Sequence, residues 1–190
     1  MNTPDPKEKQ GTDSLRSVEK WHWCLLILIL VSGLFLRLYR LDSLPDGFFC
    51  DEASLGYNAW SILHHGIDET GAEMPLYAKS LGVHKNPVFV YSSMIPIALF
   101  DLSEWSVRLT SAVYGWLTIL AVFWLLFEMH GTLAGLIGAM IIAVIPWNFH
   151  FSRVAFELIT WPCIFTFGLA ALVRGCRKGG WIWLIAGLCM

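Results

Sequence analysis

Charged residues are scarce in this sequence of 190 residues. They make up 15% of the chain, whereas 56% of the residues are hydrophobic and the mean hydropathy is +0.57. A soluble domain carries about a quarter charged residues, so the composition argues against one and favours a polytopic membrane protein. The net charge of −2 also lacks the basic excess that a nucleic-acid-binding surface needs. We therefore expect a membrane environment and no nucleic-acid partner.

Paired cysteines are absent as well. Five cysteines are scattered along the chain, without a CxxC motif or the spacing of zinc ligands. They are Cys24, Cys50, Cys163, Cys176 and Cys189. This pattern predicts neither a disulfide framework nor a zinc site, and four of the five are expected to fill space in or beside apolar runs.

Apolar runs close to the length that crosses a bilayer make up much of the sequence. We predict membrane spans over about residues 21–39, 109–127, 132–151 and 158–173, with the start of another at 181. The last run has ten residues, too few to cross, so we expect the chain to be a fragment of a longer protein. Residues 1–20 are polar, mixed in charge and without apolar periodicity, which predicts a disordered tail.

The sidedness of the loops depends on residues 86–100, an apolar run with two prolines. Basic residues in the tail and in residues 174–178 favour the cytoplasm. Both segments can be cytoplasmic only if an even number of spans separates them, so we predict that 86–100 does not cross. The fold is then an all-α, polytopic integral membrane protein, in the inner or plasma membrane of the cell, with a cytoplasmic N-terminus. Its outer loop, residues 41–108, carries interfacial helices over 51–65 and 86–100.

This topology brings five polar residues to the non-cytoplasmic side. They are Asp51, Glu52, Lys85, Arg153 and Glu157. Carboxylates act as general bases and Lys or Arg side chains stabilise developing anions, so these residues have the parts of a reaction centre. Simpler roles stay open: Asp51 and Glu52 suit the start of a helix, and Arg153 and Glu157 have the spacing of an intrahelical ion pair.

Several segments in their order resemble a known family. They are FCDEASLGYNAW (49–60), GIDETGAEMPLY (66–77), HKNPVFVY (84–91), LFDLSEWSVRLTSA (99–112) and SRVAFE (152–157). Over about residues 22–185 the chain is similar to the N-terminal module of the GT-C membrane glycosyltransferases. The branch that it resembles contains the protein mannosyltransferases and the lipid A aminoarabinose transferases.

The resemblance implies a reaction and roles for the five residues. The expected enzyme moves a sugar from a polyprenyl-phosphate donor to a lipid, glycan or protein acceptor on the non-cytoplasmic face. Asp51 matches the first-loop acid of the family, with Glu52 beside it, and Glu157 stands where the family often has Asp. Lys85 matches a basic residue that holds the donor phosphate, and Arg153 is expected to assist it.

Other interpretations of these residues remain open. Adjacent carboxylates can bind a divalent metal, although two acids without further ligands indicate one only weakly. A membrane transporter would need ionisable groups within its spans, and the predicted spans after Arg108 contain no Asp, Glu, Lys or Arg. If the protein were a non-catalytic membrane scaffold, the acids of the outer loop would have no functional role.

Overall fold

The computed structural model describes residues 20–80 and 82–190, and most of these residues are helical. The helices are α1 Lys20–Leu38, α2 Cys50–His65, α3 Pro87–Phe100, α4 Glu104–His130, α5 Thr132–Val144, α6 Pro146–Phe151, α7 Thr160–Lys178 and α8 Trp181–Cys189. A 3₁₀ turn, Glu157–Ile159, precedes α7, and two short antiparallel strands, β1 Lys79–Ser80 and β2 Val83–His84, form a hairpin. The predicted tail lies outside the described residues except for Lys20, which begins α1.

Three helices in the described part of the chain are long and apolar enough to cross a membrane. They are Lys20–Leu38, Glu104–His130 and Glu157–Lys178, the last including the 3₁₀ turn. The 14-residue α3 and the 13-residue α5 are shorter. At 1.5 Å per residue each spans about 20 Å, less than the hydrocarbon thickness of about 30 Å. The chain is an integral membrane protein, and the predicted all-α membrane class is confirmed.

The apolar run over residues 132–151 is two helices rather than one. α5 ends at Val144, Ile145 is extended (φ −59°, ψ 126°), and α6 begins at Pro146. The ring of a proline disfavours the helical conformation of the residue before it, and proline has no N–H to continue the ladder. The predicted range therefore covers an interruption at Ile145 that directs α6 toward the loop containing Arg153.

The helix bundle has two ends that differ in the residues they carry. At one, α1 and α5 meet beside the last turns of α4, where His22, Phe127 and Thr132 line a small cavity. Glu128 of α4 pairs there with Arg174 of α7. We call this the basic end. At the opposite end, which we call the site end, Arg153 contacts the C-terminus of α1 and segments of the outer loop converge.

Close packing at the site end depends on a small residue. A Cβ atom placed on Gly115 would lie 2.3 Å from the Cβ of Ser152. Such small residues let membrane helices approach their neighbours closely. Here the contact seats the turn after α6 directly on α4, and this turn supplies Arg153 and leads into Glu157.

Candidate active site

The first turn of α2 places its two acids in different environments. Asp51 has 63% of its side chain exposed, whereas Glu52 has 1%. Successive residues on a helix are turned by about 100°, so the two carboxylates leave α2 in different directions. One acid therefore faces the aqueous side of the loop and the other enters the protein.

Asp51 forms an ion pair with Lys85, 34 residues further along the chain. Lys85 Nζ lies 2.7 Å from Asp51 Oδ1, and only 5% of the lysine side chain is exposed. The backbone of Lys85 is fixed as well, since its N–H donates to the carbonyl of Ala78 at 2.8 Å. The hairpin thus delivers a buried ammonium group to an exposed carboxylate.

Glu157 is attached to the start of α3, at the residue that follows Lys85. Its Oε2 accepts a hydrogen bond from the backbone N–H of Asn86. The Asn86 side chain caps α3 by accepting from the N–H of Val88 at 2.9 Å, and donates to Thr160 Oγ1 at 3.2 Å. These contacts tie the hairpin, α3 and α7 together where Glu157 emerges.

A cleft of about 650 Å³ opens between these elements. Lys85 and Glu157 line it, and Asp51, which does not line it, forms the ion pair with Lys85. Aromatic and apolar side chains form most of the remaining wall, among them Tyr77 and Trp161. A concave, mostly apolar site with a few convergent polar groups is the usual form of a small-molecule site.

Both carboxylate oxygens of Glu52 accept hydrogen bonds from the protein. Its Oε1 accepts from Arg108 Nε at 3.0 Å and from the N–H of Ala155 at 2.7 Å. Its Oε2 accepts from Arg108 Nη2 at 3.2 Å and from the N–H of Phe49 at 3.1 Å. The buried Glu52–Arg108 pair joins α2 to α4, and the bond to Ala155 joins α2 to the loop before Glu157. These contacts fix the position of Asp51 relative to Glu157.

The Arg153 guanidinium also has its hydrogen-bond partners within the protein. Its Nη1 donates to the carbonyls of Leu36 and Arg37 at 2.6 and 3.0 Å. Its Nη2 donates to the carbonyls of Tyr39 and Leu44 at 2.7 and 3.1 Å. Burial, with a contribution from the nearby Arg108 charge, lowers the pKa of the Arg153 guanidinium. The side chain satisfies the free carbonyls at the C-terminus of α1.

Asp68 organises the loop between α2 and the hairpin. Burial alone would raise the pKa of its carboxyl, but hydrogen bonds from the Thr70 side chain and from the N–H groups of Lys79, Ala72 and Thr70 lower it to about 2. The Asp68 carboxylate therefore holds the loop in the shape that leads into the hairpin and Lys85.

A metal site does not emerge from these acids. In the described residues, no group of three or more His, Cys, Asp or Glu side chains is placed to hold an ion. Asp51 and Glu52, the pair considered for a divalent cation, are separated by the difference in burial.

Arg108 and Asn86 also belong to this region and were not among the predicted site residues. Arg108 is fully buried beside Glu52, and Asn86 bridges Glu157 and Thr160. For Arg108 a signal existed, because an arginine at the start of a long apolar run needs a partner when it is buried. Asn86 precedes a proline and an apolar helix, the usual context of an N-cap.

A helical membrane bundle with a lysine, two carboxylates and a largely apolar cleft at one end has the parts of a membrane transferase. Residues 84–190 match the dolichyl-phosphate-mannose-protein mannosyltransferase family. Because this match covers more than half of the chain, the chain belongs to that family of membrane glycosyltransferases, and the resemblance read from its motifs is confirmed. No curated protein and no solved structure matches the chain. Lys85, Arg153 and Glu157 fall within the matched range, and Asp51 precedes it.

Proposed function

We propose that the chain carries the site of a glycosyltransferase that takes a sugar from a polyprenyl-phosphate donor on the non-cytoplasmic face of the membrane. The observation that carries the proposal is the 2.7 Å contact between Lys85 Nζ and Asp51 Oδ1 beside a cleft of about 650 Å³. It brings a phosphate-binding cation and a candidate base to one place. The acceptor is a hydroxyl of a lipid, glycan or protein.

The donor enters by replacing one anion with another. In the free protein the Asp51 carboxylate neutralises Lys85, whose ammonium is almost fully buried. A donor phosphate that binds Lys85 takes over that role and releases Asp51 toward the acceptor. A charge-assisted hydrogen bond to phosphate is among the stronger polar contacts, so a phosphate can replace the Asp51 carboxylate as the partner of Lys85.

Transfer then requires one proton to move and two bonds to change. The acceptor oxygen attacks the anomeric carbon, and the bond from that carbon to the phosphate oxygen breaks. The leaving phosphate keeps the electron pair and is stabilised by Lys85, while Asp51 takes the proton of the acceptor hydroxyl. Glu157, which lines the same cleft as Lys85, is the second acid of the proposed site.

Glu52 and Arg153 act in this proposal as positioning residues. The oxygens of the Glu52 carboxylate accept hydrogen bonds from Arg108 and two backbone N–H groups. The Arg153 guanidinium donates its hydrogen bonds to backbone carbonyls. Both therefore support the loops that carry Asp51 and Glu157, and neither contacts the donor.

The test is the substitution Asp51→Asn, with Asp42→Asn as the matched control. Asn caps a helix about as well as Asp, so the variant should fold, but it lacks the basicity to accept a proton. Asp42 is another exposed acid of the same outer loop. Transfer from polyprenyl-phosphate mannose in membranes should fall by about 10²-fold or more in Asp51→Asn and stay normal in Asp42→Asn. Near-normal transfer by Asp51→Asn would show that Asp51 is only a helix-terminal charge.

A further inference from the structure

The basic end contains a buried carboxylate surrounded by more cations than it can neutralise. Glu128 has 2% of its side chain exposed, and its Oε1 lies 2.6 Å from Arg174 Nη1. Lys178 Nζ lies 3.4 Å from Oε2 of the same carboxylate. Arg177 donates to the main-chain carbonyls of Glu128 and Met129, so it closes the last turn of α4.

The surplus charge is carried by groups that reach the surface. Arg174, Arg177 and Lys178 bring three positive charges to Glu128, and Lys20 begins α1 at the same end of the described bundle. Lys178 has half of its side chain exposed, and Arg177 is exposed as well. One carboxylate leaves a net positive surface in this group.

A second observation points to a ligand with anionic oxygens. Arg174 Nε is buried and has no hydrogen-bond partner within the described residues, although Nη1 of the same guanidinium is paired with Glu128. A buried donor without a partner is costly, and a bound oxygen atom would remove that cost. The Arg174 guanidinium also lies 4.8 Å from the ring centre of Trp183.

The surroundings favour a ligand that has an acyl chain. Trp181 begins α8 immediately after Lys178 and two glycines, and it is 71% exposed. The next residue, Ile182, is 63% exposed. Tryptophan at the end of an apolar helix sits at the headgroup level of a bilayer, and basic pockets between helices bind acidic headgroups there. A free phosphate would gain nothing from these exposed apolar side chains.

We propose that the basic end binds an anionic phospholipid, whose phosphate is held by Arg174, Arg177 and Lys178 and whose upper acyl chain lies along Trp181 and Ile182. This site is separate from the cleft at the opposite end and does not rest on the proposed transferase reaction. It would fix the ends of α4 and α7 to the lipid headgroups of one leaflet.

The experiment measures lipid retention by the purified chain in a mild detergent. Phosphatidylglycerol and phosphatidylcholine are titrated in parallel, and bound lipid is counted by native mass spectrometry. The wild-type chain should retain phosphatidylglycerol in preference to phosphatidylcholine. Lys178→Gln should weaken that retention several-fold, and Arg177→Gln with Lys178→Gln by about tenfold or more, because each surface cation adds to the attraction. Lys79→Gln removes an exposed lysine at the site end and should change nothing.

Three outcomes would overturn the proposal. The first is equal retention of the two lipids by the wild-type chain, a comparison that needs no variant. The second is an equal loss in Lys79→Gln and Lys178→Gln, which would show non-specific attraction of anionic lipid. The third is complete displacement of the lipid by millimolar inorganic phosphate, which would show a free-anion site. The double variant is interpreted only with Lys178→Gln beside it, since Arg177 also closes α4.

Discussion

Lys85 is positioned by a backbone hydrogen bond as well as by its ion pair. A substitution of its side chain should therefore remove the charge and leave the backbone in place. Its N–H donates to Ala78 and its ammonium pairs with Asp51. If the ammonium holds the donor phosphate, Lys85→Ala should weaken donor binding about tenfold or more, the equivalent of one charge-assisted hydrogen bond of roughly 1.5–3 kcal/mol. Binding of polyprenyl-phosphate mannose to detergent-solubilised protein gives the measurement.

Two comparisons make this prediction specific. Lys79→Ala, in the same hairpin but exposed, should bind donor like the wild type. Arg153→Lys keeps a positive charge but loses the fork that bridges the carbonyls at the end of α1, so it should lower stability and leave donor affinity unchanged. Donor binding that survives Lys85→Ala and fails in Arg153→Lys would reverse the roles assigned to the two cations.

Asp68 makes the stability of the outer loop depend on acid pH. Its pKa is lowered from the model-compound value of 3.8 to about 2, so the native state favours the ionised form. A depressed pKa adds stability above the unfolded-state pKa, and this stability is lost as pH falls through about 4 to 2. The shift corresponds to about 2 kcal/mol. The free energy of unfolding, followed against pH, should therefore fall more steeply in this window for the wild type than for Asp68→Asn.

The control for this pH effect is Asp42→Asn, which removes an exposed carboxylate from the same loop. It should keep the wild-type profile, and at neutral pH it should be as stable as the wild type, whereas Asp68→Asn should be less stable. Parallel profiles for the wild type and Asp68→Asn between pH 4 and 2 would mean that the four hydrogen bonds to Asp68 do not favour its ionised form.

Helix α2 is anchored by an ion pair that is separated from solvent on all sides. Glu52 and Arg108 are both almost fully buried, and 56 residues separate them in sequence. Breaking a buried pair leaves an uncompensated charge, so Glu52→Gln should cost roughly 3–5 kcal/mol of unfolding free energy. The adjacent change Asp51→Asn should cost little, because Asp51 is exposed. Denaturant unfolding of the two variants in detergent measures the contrast.

The double variant Glu52→Leu with Arg108→Met is the control for burial. It removes both charges and should recover much of the lost stability, since apolar replacement of a buried pair is often neutral. Equal stability of Glu52→Gln and Asp51→Asn would show that Glu52 does not bear on the fold, and its assignment as a positioning residue would then be wrong.

The elements follow from the sequence more directly than their contacts do. Long apolar runs reveal membrane helices because a bilayer requires about 20 apolar residues, and the all-α membrane class was predicted on that basis. The break at Ile145 also has a local cause, Pro146, which stands within the apolar run 132–151. Local chemistry of this kind is visible without any knowledge of the fold.

Contacts across the chain are less predictable because nothing local specifies a partner. The motif order suggested that Asp51, Lys85 and Glu157 share a site. It did not reveal that Glu52 would pair with Arg108, or that Arg153 would donate to five backbone carbonyls within Leu36–Leu44. Such pairings depend on tertiary packing over separations of 56 and more than 100 residues. Sequence therefore identified the charged residues but not the partners that the protein itself supplies to Glu52 and Arg153.

The whole bundle has a sidedness that can be measured. Both ends of α3 lie at the site end: Asn86 contacts Glu157, and the carbonyl of Asp101 accepts from Ser106 at the start of α4. Because both ends of this 14-residue helix lie at the site end, we expect it not to cross the bilayer. We therefore expect the hairpin loop and the turn after α6 to face one compartment and the basic end to face the other, the cytoplasm.

Single cysteines test this arrangement in intact cells with a membrane-impermeant thiol reagent. In a background without the native cysteines, Glu73→Cys in the outer loop and His150→Cys in α6 replace exposed residues at the site end, and the native, exposed Cys176 is restored alone as the reporter of the basic end. The first two should label before the membrane is permeabilised, and Cys176 only afterwards. Labelling of Glu73→Cys with protection of His150→Cys would mean that α3 crosses, and Lys85 and Glu157 could then not serve one reaction.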